Sequence, residues 1–173
     1  MDMSCGYHKV DMEHRPRREH YAYYTETLKV EYNMTAWVEL DNFIEFCNRE
    51  HYRPYPALIC VVTQVVNSIG DFKMFRDQTG ERCVWDHLVP NYTLFHPDDK
   101  TFSDCWSEDS EDFDTPYQNV NADLDQYRDR EGGKARSGQP PDFDGIFYGP
   151  WVAFTAYCVR VCHGTPSFSR WSP

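Results

Sequence analysis

The sequence predicts a mixed α/β fold, and three observations carry that expectation. Two apolar-alternating runs within residues 90–106 flank His96-Pro97-Asp98-Asp99-Lys100, the pattern of a β-hairpin closed by a short polar loop. A second hairpin pattern joins residues 72–75 to residues 82–85 around Asp77-Gln78-Thr79-Gly80. Between and around these lie segments with helical rather than strand periodicity, above all residues 57–69 and 116–130.

Taken in order, residues 16–27 open with Pro16 and continue with good helix formers, which suits a helix with proline in its first turn. Residues 28–40 alternate well enough for a half-buried strand. Asp41 is placed to cap a short helix over residues 42–50, with Phe43, Ile44, Phe46 and Cys47 on one face. After Pro54-Tyr55-Pro56, residues 57–69 are apolar on most faces, so that helix is expected to be largely buried and to stop at Gly70. The two hairpins follow. Six carboxylates then crowd residues 104–114, which reads as a solvated turn and helix start; the spacing lacks the glycine and alternating ligands of a calcium loop. The next helix presents Val120, Leu124 and Tyr127 as its inner stripe. Residues 132–144, rich in Gly, Pro and charge, read as a surface loop, and residues 151–161 resume strand alternation.

Length and composition narrow the function classes. A chain of 173 residues suits a single domain with a core, and its 40% hydrophobic content argues against disorder despite a formal charge of -11. That acidity disfavours nucleic-acid and membrane-surface partners, because both present phosphate. No run approaches the eighteen or so apolar residues of a membrane-crossing helix, and the N-terminal residues lack the pattern of a signal peptide, so a cytoplasmic protein is the expectation. Seven scattered cysteines, an odd number, fit reduced thiols better than a disulfide framework.

Familiar catalytic strings are missing: the sequence has no G-x-S-x-G, G-x-G-x-x-G or H-E-x-x-H. Cys158 and Cys162 with His163 lack a second pair at zinc-site spacing, so no metal site is expected. None of the seven histidines sits in an evident base arrangement, and each reads as structural or surface. Tyr23, Tyr24 and Leu28 on the first helix read, on spacing alone, as core residues.

The string Arg17-Arg18-Glu19-His20-Tyr21-Ala22-Tyr23-Tyr24, together with residues 84–106, residues 117–139 and Pro150-Trp151, resembles chloramphenicol acetyltransferases. The likeness runs from about Arg15 to Thr165. It implies a two-layer sandwich in which helices cover a mixed β-sheet, and an acetyl transfer from acetyl-CoA, as co-substrate rather than resident cofactor, to a hydroxyl of chloramphenicol. By that resemblance Tyr23, Tyr24, Leu28, Thr93 and Phe102 line the antibiotic pocket, while Tyr55 and Trp151 lie beside it and the coenzyme channel. Arg17 matches an arginine that pairs with the aspartate of a C-terminal H-H-x-x-x-D-G motif whose histidine is the base. The family is trimeric, each site lying between two subunits, so a homotrimer is the expected assembly.

Two departures stand against the resemblance. The family usually has a serine four residues before the tryptophan, to help hold the oxyanion; here Phe147 occupies the position and cannot donate a hydrogen bond. No H-H-x-x-x-D-G occurs in these residues, which end in a polar tail, residues 167–173. The expectation is a single domain over residues 1–173, incomplete at its C-terminal end by truncation or frameshift, with little or no activity of its own. The alternatives are a non-catalytic small-aromatic binding protein, a partner subunit of a full-length relative, and a fold fragment without independent function.

Overall fold

Both hairpins form, and the same local device closes each. The computed structural model describes residues 6–30, 38–130, 132–138 and the backbone of residues 143–145. Strands β2 (Met74–Arg76) and β3 (Arg82–Trp85) pair antiparallel, as do β4 (Val89–His96) and β5 (Thr101–Trp106). In the first turn Asp77 Oδ1 accepts from the Thr79 N–H at 2.9 Å and the Thr79 hydroxyl at 2.7 Å. In the second, Asp99 Oδ1 accepts from the Thr101 N–H at 3.0 Å and its hydroxyl at 2.7 Å. These bonds favour the ionised carboxylates, so both aspartates titrate below the usual range. Gly80 takes the left-handed conformation in one turn (φ 85°); Lys100 takes it in the other (φ 56°) without glycine's freedom.

Among the described residues the strands form two three-stranded sheets. The first has the order β1-β3-β2, with β1 (Tyr7–Lys9) antiparallel to β3. The second has the order β5-β4-β6 and is mixed, because β6 (Phe143–Gly145) runs parallel to β4. Neither β1 nor β6 is apparent from sequence: three residues are too few to show a period, and pairing with a distant strand makes them strands. β6 takes part of the expected loop at residues 132–144.

Helices α3 (Pro54–Ser68) and α4 (Asp114–Gln126) pack on each other and on the second sheet, while α2 (Asp41–Arg49) leans on α3. The main core is the seam between them: Ile59, Cys60, Leu88, Tyr92, Leu94, Cys105, Val120 and Leu124. Val120 and Leu124 are buried and Tyr127 packs against this cluster, so the expected stripe of α4 forms. In α2 the backbone turns helical one residue early, so Asp41 lies in the first turn instead of capping, and Cys47 alone is buried. Helix α3 is less buried than its composition suggests. Ile59, Cys60, Thr63 and Val66 face inward, whereas Val61, Val65 and Ile69 remain 36%, 52% and 40% exposed, since packing covers only one side. Gly70 does not end the helix directly; Ile69 turns extended, and Gly70–Lys73 form a short 3₁₀ turn.

The N-terminal helix also differs from expectation. α1 (Arg18–Ala22) begins after Arg17, whose φ of 63° is left-handed, and runs into a wider π-helical turn, Tyr23–Thr27. The Leu28 N–H reaches back five residues to the Tyr23 carbonyl at 2.9 Å. Of the strand expected at residues 28–40, the described ends are irregular and exposed, with Lys29 left-handed (φ 50°); residues 31–37 lie outside the described residues. Phe147, Trp151, the strand expected at residues 151–161, Cys158, Cys162, His163 and the tail also lie outside them.

Cys47, Cys60, Cys83 and Cys105 are buried free thiols. Burial, with the nearby negative charge of Asp109, pushes the Cys60 thiol up to about 12; burial lifts Cys105 to about 11. The thiolate is the nucleophile, so neither should react with N-ethylmaleimide at pH 8 until the chain unfolds. Peptide mapping that found Cys60 labelled rapidly in folded protein would contradict this packing.

Candidate functional site

Strand alternation sorts the β4–β5 hairpin into two faces. Tyr92, Leu94, His96, Ser103 and Cys105 point into the core, while Thr93, Phe95, Phe102 and Asp104 share the outer face. Phe95 and Phe102 are register partners, their ring centroids 5.1 Å apart at 46°, and both are 41% exposed. An exposed aromatic pair is an available surface for a ligand's ring. Asp104, half-buried on the same face, has its carboxyl pushed up by desolvation, which the Lys134 charge partly offsets.

At the turn end of this hairpin lies a cleft of about 690 Å³, within the range of small-molecule sites. Arg53 and Tyr55 enter it from the start of α3, Thr93 and Phe95 from β4, and Leu124 and Arg128 from α4 and its end. The Tyr55 hydroxyl donates to the Thr93 carbonyl at 3.0 Å, and burial pushes that phenol well above its usual value, so it stays protonated. Two cations share one anion at the rim: Asp125 Oδ1 lies 3.2 Å from Arg53 Nη1 and 3.2 Å from Arg128 Nη2. Asp98, Asp99 and Asp129 also line the cleft, so its carboxylates outnumber its two guanidiniums and the cationic character is local to Arg53 and Arg128.

Thus Thr93, Phe102 and Tyr55 gather in one region, with Phe95, which sequence reasoning passed over, joining Phe102 to the cleft. Period-two alternation carries a signal for Phe95, since it falls two residues after Thr93. Tyr23 and Tyr24 form a separate edge-on pair, centroids 5.6 Å apart, in the π-helical turn, and with Leu28 they are about half exposed. Such turns are enriched at functional sites. None of the three lines the cleft. Arg17 is exposed, and its side chain has no hydrogen-bond or ion-pair partner among the described residues.

The histidines near this region are structural. His96 uses both ring nitrogens, Nδ1 lying 3.1 Å from the Arg128 carbonyl and Nε2 2.7 Å from Ser103 Oγ. One pairing does resemble a base arrangement: His87 Nε2 lies 2.8 Å from Oδ2 of the buried Asp109, with Asn67 Nδ2 3.4 Å from the same oxygen. No sequence spacing signals this pair, whose members come from separate loops. It also breaks the expectation of a wholly solvated acidic stretch, because Asp109 is buried beneath the ring. His87 precedes β4 while the cleft lies at its far end, on the order of 20 Å away at strand rise. It cannot deprotonate a ligand held there. Among the described residues no three His, Cys, Asp or Glu side chains gather as a metal site, and no helix is long and apolar enough to cross a membrane.

Comparison with known proteins bears on the family and the fold. The family model described as chloramphenicol acetyltransferase matches residues 5–168. A chloramphenicol acetyltransferase of Clostridium perfringens is 32% identical over 152 residues, covering 88% of this chain and 69% of the relative. Relatives of the same name from Clostridium butyricum and Escherichia coli are 28% and 29% identical, each with 71% of its length covered. A solved structure named chloramphenicol acetyltransferase superposes with a TM-score of 0.68 at 17% identity, covering 90% of this chain and 70% of that one, and so shares the α/β fold. With the family model spanning nearly all of its length, this chain belongs to the chloramphenicol acetyltransferase family.

Proposed function

We propose that these residues supply the ligand-holding part of an acetyltransferase site that uses acetyl-CoA as donor and a hydroxyl of a chloramphenicol-like aromatic antibiotic as acceptor. The observation that carries this reading is the junction of Tyr55 and Thr93 at the foot of a cleft rimmed by Arg53 and Arg128. The guanidiniums of Arg53 and Arg128 are the two charged donors of this cleft and supply the local contacts for the phosphates of a coenzyme. The Phe95–Phe102 pair offers ring faces to an aromatic acceptor; Tyr23, Tyr24 and Leu28 would complete that pocket, and Trp151 would lie beside it and the coenzyme channel, by analogy with the family. Arg17, unpaired among the described residues, is left for an acidic partner. The proton acceptor would come from a neighbouring subunit, as in a trimer.

A second reading, a binding or partner subunit without catalysis of its own, is favoured by one observation: His96 and His87 are both committed to internal bonds. Calorimetry separates the readings from their negation. Coenzyme A should bind, and the Arg53→Ala/Arg128→Ala pair should weaken it by about 10-fold or more, the scale of a charge-assisted hydrogen bond. Chloramphenicol should bind independently of that change. Failure of both ligands to give heat or a thermal shift would end the acetyltransferase reading and the binding version of the second, and failure to co-purify with a full-length relative would end its partner version.

A further inference from the structure

A second cleft lies between α1 and the first sheet, about 450 Å³ in volume, and the acetyltransferase reading makes no use of it. Arg82 lines it and is only 8% exposed, yet its Nη2 has no hydrogen-bond partner. The buried Nε of Arg76, which also lines the cleft, is unpartnered as well. A buried guanidinium without a counter-charge is costly, and its idle donors are costly again.

The carboxylates nearby do not solve this. Glu26 is engaged by Arg76 Nη2 at 3.4 Å, Glu81 by Lys9, and Asp11 by His14 at 2.7 Å, while Glu13, which also lines the cleft, is not within ion-pair distance of either arginine. Arg82 has no carboxylate within ion-pair distance among the described residues; its guanidinium carbon lies 5.0 Å from the centroid of the Tyr21 ring. We propose that this cleft binds a small organic carboxylate, its two oxygens accepting from Arg82 and Arg76 and its body resting on Tyr21 and Ala22. A planar two-oxygen group suits donors from two guanidiniums. A single negative charge suits the setting better than a phosphate dianion, because rim carboxylates and a chain charge of -11 repel the second charge. The proposal stands apart from acetyl transfer, since chloramphenicol carries no carboxylate.

The test is calorimetry and thermal shift on the whole chain with benzoate, against benzamide, which keeps the ring without the charge, and inorganic phosphate. Benzoate should bind saturably and raise Tm, with benzamide and phosphate at least about 10-fold weaker. Arg82→Met should weaken benzoate by about 10-fold or more, and Arg82→Lys, which keeps the charge but loses the fork, by less. If Arg82→Met does not fold, the benzoate–benzamide difference on the unchanged chain decides. Absence of benzoate binding, equal binding of benzamide, tighter binding of phosphate, or full retention in a folded Arg82→Met would each overturn the proposal. Displacement of benzoate by chloramphenicol would also overturn it, by making the two clefts one site.

Discussion

Purified polypeptide of these 173 residues is expected to acetylate chloramphenicol about 10² to 10⁴-fold more slowly than a family member carrying the histidine motif, the range attributed to a general base. A base has to reach the proton it removes, and His96 is the one described histidine that lines the cleft. His96 is buried with both ring nitrogens bonded. His87 is bound to Asp109 at the opposite end of β4. His8 and His14 pair with Asp86 and Asp11 on the surface, away from the cleft. Phe147 adds a further loss if it stands where the family has its hydroxyl donor, since removing one such donor costs about 10² to 10³ in rate. The measurement is a coupled assay for free coenzyme A. Mixing the chain with a full-length relative whose own antibiotic pocket has been disabled should restore turnover if a neighbouring subunit supplies the base. Family-like rates from the chain alone would refute this assignment of roles.

Tyr92→Ala should destabilise the fold by about 3–5 kcal/mol, the cost of truncating a buried aromatic side chain. Tyr92 is 1% exposed and lies among Ile59, Leu94, Cys105 and Val120. Its hydroxyl starts a buried polar chain. Ser107 donates its only proton to Asp123 Oδ2 at 2.6 Å, so the Tyr92 phenol, held protonated by burial, donates to Ser107 at 2.6 Å. Arg136 Nη1 completes the chain, 2.7 Å from the same carboxylate oxygen, and its guanidinium lies 3.9 Å from the centroid of the Trp106 ring. The network thereby ties β4, α4 and residues 132–138 together beside the cleft. Tyr92→Phe keeps the ring and loses only the donor, so about 1–3 kcal/mol is expected. Urea unfolding of the two variants separates packing from hydrogen bonding. A loss below about 1 kcal/mol for Tyr92→Ala would contradict its place in the core.

Parts of the site can be read in the sequence because they depend on neighbours along the chain. Thr93 and Phe102 fall on one face through alternation around a turn whose Asp-x-Thr wording closes it locally. The bond from Tyr55 to the Thr93 carbonyl could not be foreseen, because a backbone acceptor leaves no mark on residue type. Nor could the sharing of Asp125 by Arg53 and Arg128, which depends on how α3 meets α4. The Asn67–His87–Asp109 junction and the idle donors of Arg82 are invisible for the same reason: each joins segments that no periodicity relates.

The hairpins, the inner stripe of α4 and, through resemblance, the family are legible in the residues alone. These rest on short-range rules of turn chemistry and period, or on strings long enough to be recognised. That α3 is covered on one side, that β1 and β6 are strands, and that two arginines line one cleft with donors unused emerges from the folded arrangement. Those outcomes are set by pairing and burial between distant segments, where the free energy belongs to the contact and not to either stretch of chain alone.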